Sequence, residues 1–410
     1  MKTKQFVLFQ LKSWLPMIIA FGALILSITV IVGLNAQPYI AVSVKDDATY
    51  LQRYAITSLS RRSFSCMTLM MVPSLLTAFV LPFFAYSHRY GKVRADCFLS
   101  LPVRSGKITQ TRMLLAGAIL LAIYLVSYLL GIFAAMAKQS IAAASAIATF
   151  EASDIVESYT VISGSYGWYF LAWPLGALVV AGLFLINSFL AGQGSNVLQG
   201  IIAMILGHAV ICLLLPVTIL TPGMASGSYG WVYDTFGFGF SFFQMPSAYV
   251  PLVLIEMTLG TLESGRANLV DTAASFASQW GLWFGSISFL LLSGGALACL
   301  LLGKEPGGEF AGETRPRNFF ATLIPHLGFM TILIGSNIFW VNVLGLKMSY
   351  FAFLFLTEFI WTDGLYYVVV SLYNRNFKLD RKNWIMFACA NGVALILFGI
   401  SIACGAFSGR

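Results

Sequence analysis

Ser87-His88-Arg89-Tyr90-Gly91-Lys92-Val93-Arg94-Ala95-Asp96-Cys97-Phe98-Leu99-Ser100-Leu101-Pro102-Val103-Arg104-Ser105-Gly106-Lys107-Ile108-Thr109-Gln110-Thr111-Arg112 lies between two long apolar runs. Six of its side chains are Lys or Arg and one is acidic. Short connections of that composition stay on the cytoplasmic face of a membrane. Its middle, Cys97-Phe98-Leu99-Ser100-Leu101, is apolar enough to need a surface to dock on. Pro102 then stops any helix, because the residue before a proline is pushed out of the α region. The stretch therefore reads as a short amphipathic element, held under the bilayer by two spanning helices, on which a cytoplasmic partner can push or pull.

Outward from this loop the chain is apolar nearly everywhere. Of 410 residues 59% are hydrophobic and 10% charged, against roughly 25% charged in average chains. Runs of about 20 apolar residues, each able to cross a ~30 Å hydrocarbon core, recur along its length. The expected fold is all-α and polytopic, with nine spans near 14–35, 66–87, 113–137, 166–191, 197–221, 279–303, 326–345, 350–372 and 384–407. Residues 1–13 alternate basic and apolar positions, a pattern that suits a helix lying in the interface on membrane lipid. Gly192-Gln193-Gly194-Ser195-Asn196 is short and uncharged and joins spans four and five as a tight hairpin. Residues 223–278 are aromatic and Gly-rich, and the run 248–259 within them is too short to cross; it reads as interfacial or re-entrant. The aromatics at 231–243 fit either an interfacial belt or a substrate-facing lip.

Charge supports the topology. With the N-terminus cytoplasmic, inward segments hold 16 of the 24 basic residues and 5 acids, a net of +11. Outward segments net −1, and Glu358 and Asp363 inside a span bring the total to +8. The basicity thus follows sidedness and gives no reason to invoke nucleic acid. The six cysteines form no CxxC pair, which leaves neither a disulfide framework nor a zinc site. His88, His208 and His326 are too dispersed for a metal site; His208, within span five, reads as an interhelical packing or hydrogen-bonding residue. Glu358 and Asp363 are costly at membrane depth and so should face the bundle interior. Five residues apart, about 140° around a helix, they do not form a paired-carboxylate site.

Ser100-Leu101-Pro102-Val103-Arg104-Ser105-Gly106-Lys107-Ile108, following a Tyr86…Asp96 segment and preceding Arg112-Met113-Leu114-Leu115-Ala116-Gly117, resembles the SLP-[IV]-x-R-x-x-[LI]…K/R-x-x-x-G loop of ABC-2 type permeases. These are membrane subunits of ATP-binding-cassette exporters, here of a subgroup typical of Gram-positive bacteria. Glu309-Phe310-Ala311-Gly312-Glu313 is similar to that subgroup's R-x-S-E-x-A-G element, with Pro306 and Gly308 standing where the family has Arg and Ser. Asn376-Phe377-Lys378 ahead of Trp384 is similar to a basic link of the longer members.

The resemblance implies a six-helix permease core over 1–303 with a coupling loop at 88–112, and a transmembrane extension over 304–410. It assigns ATPase coupling to Arg94, Asp96, Phe98, Leu99, Leu101, Pro102, Arg104 and Ile108 in the loop, and to Glu309 and Gly312 after it. It implies a separate ABC ATPase subunit carrying ATP-Mg, a second permease as homodimer or heterodimer, and a multi-pass place in the cell membrane. The substrate would be an amphipathic antimicrobial peptide, drug or lipid-like molecule. The chain itself has no G-x-x-x-x-G-K-[ST] phosphate loop, so it is not expected to be the enzyme. Three other readings stay open. A secondary transporter should show inverted repeats, and an intramembrane enzyme needs clustered ionisable residues inside spans. An ABC-linked sensing or resistance protein would carry out no net transport.

Overall fold

The computed structural model describes residues 3–36, 40–44, 69–91, 96–97, 105–152, 156–161, 165–194, 196–208, 210 and 280–302, with a few positions between 360 and 392. In chain order the elements are α1 (Thr3–Leu34), β1 (Ile40–Val44), α2 (Val72–Ala85), α3 (Ser105–Glu151), β2 (Val156–Val161), α4 (Ser165–Ala191), α5 (Val197–His208) and α6 (Trp280–Leu302). The body is helical, as expected, and one antiparallel ribbon is added to it: β1 pairs with β2, Ile40 opposite Val161 and Val44 opposite Val156. Three of these helices are long and apolar enough to cross a membrane: α1, α3 and α4. The expected spans near 166–191 and 279–303 correspond to α4 and α6. Span seven and the 223–278 region lie outside the described residues, and of spans eight and nine only scattered positions are described.

Two boundaries are corrected. Residues 1–13 were expected to lie in the interface apart from the first span, but α1 runs unbroken through Pro16 for 32 residues, about 48 Å at 1.5 Å per residue. Phe6, Gln10 and Trp14, four residues apart and all buried, form a stripe that packs inward and keeps the helix in line. The expected third span, 113–137, is the middle of a 47-residue helix, about 70 Å long. Ser105 to Arg112, read as loop, are its first two turns. At the far end the Ala-rich stretch 134–148 supplies the strongest helix-forming residue, which carries the helix past any ~30 Å core.

α1 and α3 lie side by side and parallel: Gln10 meets Arg112, Gly22 meets Ile123 and Gly33 meets Gly131. The approach is close at the last pair, where a Cβ on Gly33 would stand 2.5 Å from the Gly131 carbonyl oxygen. Small residues are what permit such backbone contact between membrane helices. α2 runs the other way, its start beside Thr29, whose hydroxyl donates to the Met70 carbonyl, and its end beside Arg112. α4 also descends along α3, where Tyr124 donates to the Trp173 carbonyl and the Trp173 indole N–H donates to Leu125. Buried Tyr124, Tyr128, Leu120, Tyr169, Val180 and Leu183 form the core between them.

The outward faces are as apolar as the core. Leu15, Ile19, Leu24 and Ile31 on α1, Val126, Leu130 and Phe133 on α3, and Leu290, Leu291 and Leu302 on α6 are all exposed. Contiguous apolar surface on this scale is matched to lipid rather than water.

A hydrogen-bonded junction at the base of the 88–112 loop

α2 ends at Ala85, leaving the carbonyls of its last turn without intrahelical partners. Arg112, two turns into α3 and 3% exposed, meets them. Its Nε donates to Ala85 O at 2.9 Å and its Nη2 to Phe84 O and Ser87 Oγ, both at 3.1 Å. Nη1 donates to Gln10 Oε1 on α1 at 2.8 Å, and the guanidinium sits 4.9 Å from the centre of the Trp14 ring. None of these partners is a carboxylate. The negative end of the α2 dipole and the π face of Trp14 hold the cation instead. The planar five-donor fork of arginine suits this site, where a lysine ammonium would reach only part of it.

His88 makes the second tie. Its Nδ1 lies 3.1 Å from Ala85 O and its Nε2 3.0 Å from Thr109 Oγ1. A carbonyl only accepts, so Nδ1 carries the proton and, in the neutral ring, Nε2 accepts from the Thr109 hydroxyl. Burial, and then the nearby Arg112 and Arg89, lower the His88 pKa to about 3, so the ring is neutral across the physiological range. Both flanks of the loop are thus joined at its base: the end of α2 to the start of α3, with α1 behind them.

The junction reaches further. Tyr90 Oη donates to Ala191 O, the last carbonyl of α4, at 3.1 Å, and its burial raises the phenol's pKa. Phe83 and Tyr86 flank it, with ring centroids 6.3 Å away in each case. The α4–α5 hairpin is shaped to admit these rings. A Cβ at Gly192 would stand 2.5 Å from Tyr86 Oη, and one at Gly200 would stand 3.1 Å from Tyr90 Oη. Asn196 Oδ1 accepts from the Gln199 N–H at 2.9 Å and caps the start of α5. Gln110 Nε2 donates to the carbonyls of Leu300 and Leu301 in the last turn of α6, at 3.2 and 2.7 Å. The start of α1, the two flanks of the loop at 88–91 and 105–112, the end of α4, the start of α5 and the end of α6 therefore share one end of the bundle, as the alternation of spans requires.

Of the residues assigned to coupling, Asp96 is exposed and Ile108 is 2% exposed in the first turn of α3. Ile108 faces inward with Met113 and Arg112 and anchors the returning end of the loop. Arg94, Phe98, Leu99, Leu101, Pro102, Arg104, Glu309, Gly312 and Glu358 lie outside the described residues. Asp363 is partly buried and accepts from Asn391 Nδ2 at 3.3 Å. His208, in α5, hydrogen-bonds through Nε2 to Asn187 Oδ1, and the Asn187 amide donates to Ala78 O of α2 at 3.1 Å. That relay links three helices beside Phe79, whose ring centroid is 5.1 Å from that of His208.

Sequence reasoning missed Gln10, Trp14, Tyr90, Thr109 and Gln110, and counted Arg112 only as a basic anchor. The available signal was the i, i+4 spacing of Gln10 and Trp14, which sets a polar residue on the stripe of Phe6. In comparisons with known proteins the chain matches no family model, no curated protein and no solved structure.

Proposed function

We propose that this chain is the membrane-embedded permease subunit of an ATP-binding-cassette exporter, with ATP hydrolysed by a separate subunit docked on the 92–107 element. The observation that carries the reading is the junction beneath that element. Arg112 and His88 bind both flanks of the loop to each other and to α1, so a displacement at the loop moves α2 and α3 together. A loop on free flanks would absorb the same displacement locally. The apolar tip around Leu99 and Leu101 supplies the docking contact, and the basic residues around it keep it at the cytoplasmic surface. Closure of two ATPase subunits beneath a pair of permeases would then open or alternate a path for an amphipathic or lipid-like substrate.

The test is co-purification of the chain from its own host, followed by ATPase measurement on the complex. A nucleotide-binding protein should accompany the wild type, and Leu99→Asp with Leu101→Asp should release it or abolish its stimulation. A preparation with no associated ATPase, or full stimulation in the double variant, refutes the assignment.

A further inference from the structure

Three helices run toward the loop end of the bundle, α2, α4 and α6, and each ends in carbonyls that an intrahelical N–H does not reach. Each is met there by a side chain from the same short span of sequence. Arg112 takes Phe84 O and Ala85 O of α2, Tyr90 takes Ala191 O of α4, and Gln110 takes Leu300 O and Leu301 O of α6. Two of the three side chains stand two residues apart in the first turns of α3, on different faces, and the third stands at the start of the loop. We propose that Tyr90 and Gln110 are positioning residues that clamp the ends of α4 and α6 to the α2–α3 junction, so that the loop drives a collar of three helix ends rather than one helix pair.

The geometry separates the two clamps. Among the described residues the Tyr90 hydroxyl hydrogen-bonds to the α4–α5 hairpin and not to α6, and its ring and that of Tyr86 seat against Gly200 and Gly192. Among the described residues Gln110 hydrogen-bonds to α6 and not to the hairpin, and none comes close enough to meet an added Cβ on the α6 flank at Gly294 and Gly295. The contact at Leu300 and Leu301 ties the end of that helix to the start of α3. For the force the collar would carry, the inference rests on the exporter reading. The clamp itself is tested without a partner subunit.

The experiment is pulsed electron spin resonance on the full chain in lipid nanodiscs, with all six cysteines, of which Cys97, Cys299 and Cys389 are exposed, replaced by serine. One label pair joins Lys107 to Leu302 across the α6 clamp, and the other joins Lys107 to Val197 across the hairpin clamp; all three positions are exposed. Gln110→Leu should at least double the width of the Lys107–Leu302 distance distribution and leave the other pair unchanged. Tyr90→Phe, which removes only the hydroxyl, should do the reverse. General loosening would broaden both pairs in either variant, and that result overturns the proposal, as does no broadening in either. Loss of co-purifying ATPase from the wild type would sink the exporter reading and leave these distances to judge the clamp.

Discussion

Replacing Arg112 with methionine tests the junction most directly, because the structure fixes what each side loses. The variant leaves Gln10 without the donor to its Oε1, and Gln10 Nε2 is already buried with no partner among the described residues. The whole amide of a residue 1% exposed is then unsatisfied, at about 1–3 kcal/mol per buried group. Losing the three charged hydrogen bonds to Ala85 O, Phe84 O and Ser87 Oγ removes roughly 1.5–3 kcal/mol each, and the Trp14 contact about 0.5–2 kcal/mol. Against these stands the desolvation of the guanidinium, an offset of several kcal/mol that methionine recovers. The expected net cost is about 2–4 kcal/mol, read as a fall of several degrees in the unfolding temperature in mild detergent.

The discriminating measurement is the double variant. Gln10→Leu in the Arg112→Met background removes the orphaned amide and should restore about 1–3 kcal/mol. Gln10→Leu in the wild type strands an arginine N–H while relieving Nε2, so its own effect should be small. The two substitutions are then strongly non-additive, as groups in contact are. If Arg112→Met is harmless, or if the double variant is no more stable than Arg112→Met alone, the junction does not hold these helices as described.

Acid should weaken the fold through His88: its folded value near 3 lies below the unfolded 6.5, so as pH falls through 6.5 the unfolded chain takes up the proton first. At pH 5.5 the loss relative to pH 8 is about 1.4 kcal/mol, and subtracting the His88→Gln stability profile from the wild-type profile should recover it; identical profiles refute the assignment. Gly33→Ala should cost about 1–3 kcal/mol, since its Cβ meets the Gly131 carbonyl rather than a movable side chain. Gly294→Ala, which meets nothing within 4 Å among the described residues, should be neutral or stabilise by up to about 1 kcal/mol. Equal unfolding temperatures for the two variants would contradict the close approach of α1 and α3. Asn187→Leu should destabilise by about 1–3 kcal/mol, because it frees both the Ala78 carbonyl and His208; a wild-type unfolding temperature would rule out the relay.

The parts of the architecture that depend on hydrophobic content alone could be read from the chain. α4 and α6 begin and end within a residue or so of the expected spans, because an apolar run flanked by polar link residues has only one way to sit in lipid. The hairpin at 192–196 followed from its length and lack of charge. The full extent of α1 and α3 did not follow. Polar residues such as Gln10, Thr109 and Arg112 normally mark the end of a span, and here they face protein. Whether a basic residue near a membrane points to headgroups or into the bundle depends on partners 25 to 102 positions away, such as Ser87 and Gln10. No local pattern encodes that pairing. The ribbon was hidden for a similar reason, since β1 and β2 are more than a hundred residues apart and neither is stable alone.

The ribbon has a mechanical consequence. α1 and α3 are joined at Gln10 and Arg112 near their starts, and the next described element after each is one of two paired strands. From Gln10 to Leu34 α1 rises about 36 Å, and from Arg112 to Glu151 α3 rises about 58 Å. The two helices are thus riveted at top and bottom and cannot slide past one another. Any displacement of α3 therefore carries α1 with it, and the pair moves as one mast.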